Sequence, residues 1–190
     1  MRVIAGQAHG RRIAAPRGLT TRPATARVRS SIFSRLAARC ELEGMRVLDI
    51  FAGSGSLGLE ALSRGAAHVT FIDSSRVAAQ VIANNLRLLG LTDRGRIVSA
   101  EVRRALRELA AGGERFDLVF VDAPFKADIS AAILALLERS GLSEERSWVV
   151  VRQFHRAPAL TQAGFEAVNI ATLGDHRIAL YRRLETPKRA

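Results

Sequence analysis

The chain is 190 residues long, enough for one domain with a full hydrophobic core and too short for two ordinary ones. Its 48% hydrophobic and 25% charged content fits a soluble globular protein, no apolar run could span a bilayer, and Met1–Gly6 lacks the apolar core of a signal peptide, so the cytoplasm is the expected compartment. A lone Cys40 excludes an intrachain disulfide and a cysteine-based zinc cluster, and His9, His68, His155 and His176 show no metal-ligand spacing, so no metal is expected.

The net charge of +11 is unevenly spread: the first 40 residues hold nine arginines and no Asp or Glu, whereas the other 150 carry 20 basic against 18 acidic groups. Lysine occurs only at 126 and 188, so arginine replaces lysine throughout, but such a preference does not remove acids. The N-terminal segment is therefore expected to bind a polyanion, nucleic acid foremost.

In chain order, Val3–Ala5 and Ile13–Ala15 flank a turn-rich Gln7-Ala8-His9-Gly10, which predicts a small basic hairpin. After a Pro16–Pro23 loop, Thr25 is placed to cap a helix reaching about Ala38, with Val28, Ile32, Phe33 and Leu36 on one face. From Met45 the pattern becomes short apolar strands alternating with amphipathic helices. The predicted strands are Arg46–Phe51, His68–Ile72, Arg96–Ser99, Phe116–Val121 and Trp148–Val151. One helix runs from about Gly55 to the stop at Gly65, a second carries Ala78, Ile82, Leu86 and Leu89, and a third covers Asp128–Arg139. Glu166–Ala171 and Ile178–Arg182 read as a closing antiparallel pair. Such β-α units predict an α/β fold, a mostly parallel sheet with helices on both faces. The expected boundary separates a basic extension, residues 1–40, from an α/β core, residues 41–190.

Gly53-Ser54-Gly55-Ser56-Leu57-Gly58 follows the first core strand, and Asp73 ends the second strand 20 residues on. The spacing matches a dinucleotide fingerprint, in which glycine lets backbone approach a ligand and the acid bonds ribose hydroxyls. Asp49, inside the preceding strand, points elsewhere. A carboxylate there suits a ligand carrying an ammonium and a sulfonium, and would repel a pyrophosphate. S-adenosylmethionine is thus favoured over a nicotinamide cofactor. The plainer readings are that Asp49 only bonds loop amides and that Asp73 only caps the next helix.

Asp122-Ala123-Pro124-Phe125 leaves the end of the apolar run Leu118–Val121. A carboxylate and a backbone carbonyl at a strand end can both accept from the N–H bonds of an exocyclic amino group, whose lone pair is otherwise delocalised into the base. An aromatic ring can stack on the flipped base and hold it in line. Enzymes methylating such groups mostly carry Pro at the second position; here it is Ala123, which keeps the carbonyl and, preceding Pro124, an extended bias, while losing the fixed φ.

These residues resemble a known family. Leu48 through Ala66 is similar to motif I of the RsmD family, the 16S rRNA guanine-N2 methyltransferases, and Gly10-Arg11-Arg12, Thr21-Arg22-Pro23, Arg27-Val28-Arg29, Asn84-Asn85, Gly174-Asp175 and Leu180-Tyr181 extend the likeness over nearly the whole chain. The resemblance implies a Rossmann-like class I S-adenosylmethionine-dependent fold with seven strands, the last antiparallel. It implies Asp49, Phe51, Ala52, Gly53 and Gly55 around the methionine portion of the cofactor, Asp73 and Ser74 at the ribose, and Glu101 near the adenine where the family usually has Asp. It further implies catalysis by Asp122, Ala123, Pro124 and Phe125, and RNA contact through Arg11, Arg12, Arg22, Arg27 and Arg29. The partner would be ribosomal RNA in the small subunit, met by a monomer. Three other readings stay open: a DNA adenine or cytosine amino methyltransferase, a nicotinamide-dependent oxidoreductase, and an RNA-binding S-adenosylmethionine module weakened by Ala123.

Overall fold

The computed structural model describes residues 1–16, 25–124 and 127–185. Seven strands, β1 (Arg46–Ile50), β2 (His68–Asp73), β3 (Gly95–Ser99), β4 (Phe116–Val121), β5 (Ser143–Phe154), β6 (Phe165–Leu173) and β7 (His176–Arg183), form one sheet in the order β3-β2-β1-β4-β5-β7-β6. The first five are mutually parallel, and β7 runs antiparallel to β5 and β6. A dinucleotide fold continues with a parallel sixth strand beside the fifth. The reversed β7 instead gives the class I methyltransferase arrangement expected from the resemblance.

Helices α1 (Ala26–Ala37), α2 (Ser56–Ser63) and α3 (Arg76–Leu89) cover one face, and α4 (Val102–Ala111) and α5 (Ala127–Ser140) the other. Because strand side chains alternate between faces, Val47, Phe71, Phe120, Val150 and Ile178 pack on the α1–α3 side, while Leu48, Ile72, Val119, Val151 and Ala179 pack against α4 and α5. Thr25 caps α1 as expected, its hydroxyl oxygen accepting from Val28 N at 3.3 Å, and the predicted apolar face of Val28, Ile32, Phe33 and Leu36 is buried. Phe33 meets Phe120 with ring centroids 5.7 Å apart, seating α1 over the end of β4.

The N-terminal segment is a minimal form of the predicted hairpin. An isolated antiparallel bridge joins Arg2 to Arg12, flanked by Ile13 N to Met1 O and Val3 N to Arg11 O, both 3.0 Å, and Gly10 N donates to Val3 O at 3.0 Å to close the loop. Val3, Ala8 and Ile13 are buried in the cluster that holds α1, α2 and α3, each large side chain contributing about 1.5–3 kcal/mol. The expected boundary at residues 40/41 is therefore crossed by shared core packing.

Two differences concern elements. No helix was expected between β3 and β4, yet α4 buries Val102, Ala105, Leu106 and Leu109 at helical spacing. β5 begins five residues earlier than predicted, because Glu144–Ser147 form a polar bulge that shifts the register between Phe116↔Ser143 and Leu118↔Trp148, with Arg146 at φ 67°. No helix among the described residues is long and apolar enough to cross a membrane.

Candidate active site

The C-terminal ends of β1, β2 and β4 each carry an aspartate. Alternation places Asp49 with Val47, Asp73 with Phe71, and Asp122 with Phe120, so all three lie on the α1–α3 face. Parallel strands bring these ends together at the topological switch between β1 and β4, where open α/β sheets bind ligands.

Between β1 and α2 the chain turns through left-handed backbone: Phe51 at φ 61°, Gly53 at 56° and Gly55 at 74°. For Phe51 this conformation is costly, and strain of this kind gathers at ligand sites. Asp73 fastens the loop, its Oδ2 accepting from Gly53 N at 2.8 Å and its Oδ1 from Ser75 N at 2.9 Å. The cap of α3 is Ser75, accepting from Ala78 N at 3.3 Å, so Asp73 is not the helix cap. Asp49 is 1% exposed and accepts from Gly58 N at 2.9 Å, the amide of the first turn of α2. Gly58 also sets how closely α2 lies on the sheet, since a Cβ there would stand 2.4 Å from the Phe71 ring. Burial pushes the Asp49 carboxyl well above its usual range; the Gly58 amide pulls it back, and Asp122 and Asp73 push it further up.

Asp122 N continues the ladder by donating to Ile50 O at 3.3 Å, and Ala123 is buried behind it with Pro124 half-buried. The Asp122 carboxylate, 15% exposed, is ion-paired through Oδ1 with Arg152 Nε on β5. Arg152 Nη1 lies 3.3 Å from His176 Nδ1 on β7. Burial raises the Asp122 carboxyl, while Arg152 and His176 oppose the rise.

Of the other expected site residues, Phe51, Ala52 and Gly53 line the loop at partial exposure and Ser74 is exposed beside Asp73. Glu101 caps α4, accepting from Arg104 N at 3.0 Å, and the amides of Arg103 and Arg104 hold its carboxyl below the ordinary value. Phe125, Arg22 and Pro23 lie outside the described residues. Among the expected RNA-contact arginines that are described, Arg11, Arg12 and Arg27 are exposed. Arg11 is spent on the C-terminal end of α3, donating to Leu88 O and, at 3.3 Å, to Leu89 O. Arg29 corrects the expectation: at 1% exposure it donates to Arg2 O at 2.6 Å and buttresses the N-terminal loop, so it has no surface to offer a phosphate.

Three structural anchors were not singled out by residue-level reasoning. Glu60, 1% exposed on α2, accepts from Ile4 N at 2.8 Å, Ala5 N at 3.0 Å and Arg64 Nε at 2.9 Å. Asn85 on α3 clasps Ala14 by both backbone groups, at 2.8 and 3.1 Å, and donates to Ser54 O at 3.1 Å. The third is the Arg152–His176 pair at Asp122. A charged residue ending the apolar run Trp148–Val151 was the available signal, but its partner follows only from the order of the sheet.

The family described as "conserved hypothetical protein 95" matches residues 1–182. The chain belongs to this family. It is 39% identical over 150 residues to the Bacillus subtilis (strain 168) protein YlbH, covering 79% of this chain and 80% of that one. It is 38% identical over 151 residues to ribosomal RNA small subunit methyltransferase D of Escherichia coli (strain K12), covering 80% and 73%. The solved structure of the Escherichia coli protein yhhF superposes with a TM-score of 0.83 at 33% identity, over 98% of this chain and 99% of that one. Family membership covers the segment that carries the N-terminal loop as well as the sheet, in keeping with their shared core.

Proposed function

We infer that this protein transfers a methyl group from S-adenosylmethionine to the exocyclic N2 of a guanine in small-subunit ribosomal RNA. The chain is an S-adenosylmethionine-dependent methyltransferase by family and fold. The observation that supports the amino-group acceptor is the Asp122-Ala123-Pro124 turn at the end of β4, on the same face as Asp49 and beside the glycine loop.

The residues present fit the methyl donor. A ligand with two cationic centres suits an end of the sheet where Asp49, Asp73 and Asp122 converge, and the positive-φ loop offers backbone at close range. Asp49, Phe51, Ala52, Gly53 and Gly55 would hold its methionine portion and Asp73 its ribose, with Ser74 alongside and Glu101 at the adenine through whichever lone pairs its capping bond leaves. Bound there, the cofactor supplies an electrophilic methyl on a sulfonium. The protein's part is orientation: Asp122 and the Ala123 carbonyl accept from the acceptor amino group and turn its lone pair outward, and Phe125 stacks on the base. Arg12, Arg22 and Arg27 supply phosphate contacts that position without reading sequence.

Calorimetry and turnover test this together. Asp122→Ala should bind S-adenosylmethionine like the parent yet lose about 10²–10³-fold in kcat, as expected for a lost orienting group. A variant with unchanged kcat would remove Asp122 from the mechanism. The reading in which Ala123 has silenced the site gains only if the parent is idle on small subunits and Ala123→Pro restores transfer.

A further inference from the structure

Asp122 is held by the sheet in an unusual way. The register Val121↔Val151 makes Asp122 and Arg152 the next neighbours across β4 and β5, and Arg152↔Ile178 with Phe154↔His176 places His176 two positions along β7 on the same face. Arg152 is 5% exposed, too deep to serve an RNA phosphate, and its Nε is engaged with Asp122 Oδ1 while Nη1 meets His176 Nδ1. A guanidinium is a planar fork, so engaging one nitrogen with Asp122 and another with His176 fixes the guanidinium and with it the point at which Asp122 Oδ1 is held.

We propose that Arg152, backed by His176, is a positioning residue that holds Asp122 ionised and in one rotamer, supplying from β5 and β7 the rigidity that a proline at residue 123 would supply from within the turn. The proposal deepens the amino-methylation reading and rests on it. The charged and titratable groups acting on Asp122 are Arg152 from β5, His176 from β7 and, with opposite sign, Asp49 from β1. An ionised carboxylate is acceptor-only, so Asp122 can take its N–H of the amino group beside the Ala123 carbonyl without offering a competing donor. With the Arg152 guanidinium gone, a buried carboxyl beside Asp49 has lost its main counter-charge and protonates at higher pH.

The test compares the parent with Arg152→Lys, Arg152→Met, His176→Phe and His176→Gln on small subunits, with ¹³C-carboxyl NMR of Asp122 as a readout that needs no turnover. Arg152→Met should lower kcat about a hundredfold with KM for RNA little changed, as expected for a misplaced orienting group. The acid limb of its pH–rate profile and the NMR titration of Asp122 should both move to higher pH. Arg152→Lys keeps the charge and should restore the acid limb but not the full kcat. His176→Phe should reproduce a smaller loss, and His176→Gln, which retains an acceptor, should recover it. An Arg152→Met protein that binds S-adenosylmethionine normally and keeps the parent's kcat and pH profile overturns the proposal. If that variant does not fold, an unchanged kcat and an unchanged Asp122 titration in His176→Phe overturn it instead. A parent idle on every RNA refutes the RNA-methylation reading, and the Asp122 titration still decides whether Arg152 holds that carboxylate ionised.

Discussion

Replacing Gly58 by alanine opposes two effects of known size in one helix. In favour, alanine is about 0.8–1.0 kcal/mol better than glycine inside a helix. Against, the new Cβ would lie 2.4 Å from Phe71 Cε1, 2.9 Å from Phe71 Cζ and 2.7 Å from Val69 Cγ1. Comfortable carbon contacts need roughly 3.5–4.0 Å, so α2 must lift by about 1 Å or Phe71 must leave its rotamer. Phe71 and Val69 are fully buried, which leaves little room to yield and puts the overpacking cost toward the upper part of its usual range, about 1–3 kcal/mol. The steric term should win, for a net loss of roughly 1–2 kcal/mol, seen as a fall of about 2–8 °C in Tm for a domain of this size. Lifting α2 also draws Gly58 N away from Asp49, so calorimetry should show weaker S-adenosylmethionine binding. Phe71→Leu should be partly compensatory, with the double variant better than the sum of the singles by about 1 kcal/mol. A Gly58→Ala protein as stable as the parent, with parental cofactor affinity, would refute the close packing of α2 on β2.

Further outcomes follow from the charges and anchors. Asp49→Asn keeps an acceptor for Gly58 N and removes a buried charge. Because the folded-state pKa of Asp49 lies well above 3.8, ionisation destabilises the fold as pH rises from that value, so the variant should equal or exceed the parent's stability at neutral pH in urea denaturation, lose that advantage in acid, and bind S-adenosylmethionine more weakly throughout. Glu60→Ala strands the amides of Ile4 and Ala5 and should cost about 3–5 kcal/mol, with hydrogen exchange of residues 1–16 rising before global unfolding. Arg12→Gln and Arg27→Gln should each weaken RNA binding and flatten its dependence on salt by about one ion per phosphate lost, whereas Arg29→Gln should lower Tm, because its guanidinium is buried under the N-terminal loop.

The legible parts of this molecule were those whose physics is local. Core strands buried on both faces read as apolar runs, so Phe116–Val121 was placed to the residue, and the face of α1 and the cap at Thr25 followed from helical spacing and a hydroxyl before it. The acid-free arm is legible as charge and illegible as packing: the backbone beside Val3 and Ile13 is anchored by Glu60 and Asn85, more than 50 residues further along. Arg29 reads as a surface residue for that reason, since nothing near it in sequence says that its guanidinium turns inward. The start of β5 was lost because a polar bulge hides it, and α4 because its short apolar stripe is crowded by arginines. Asp49, Asp73 and Asp122 were each found from their own strands. That they share a face emerges only when β2, β1 and β4 are put side by side, and that Asp122 is gripped by Arg152 only when β5 is added.

The central claim is amino-group methylation of guanine in small-subunit RNA, and transfer of a labelled methyl group tests it most directly. Purified protein and labelled S-adenosylmethionine are incubated with unmodified small subunits and, separately, with naked rRNA, and the product is digested to nucleosides. The expected result is label in N2-methylguanosine at one site, with the assembled particle the better substrate. Label in N6-methyladenosine, or transfer to DNA in preference to either RNA, would contradict it.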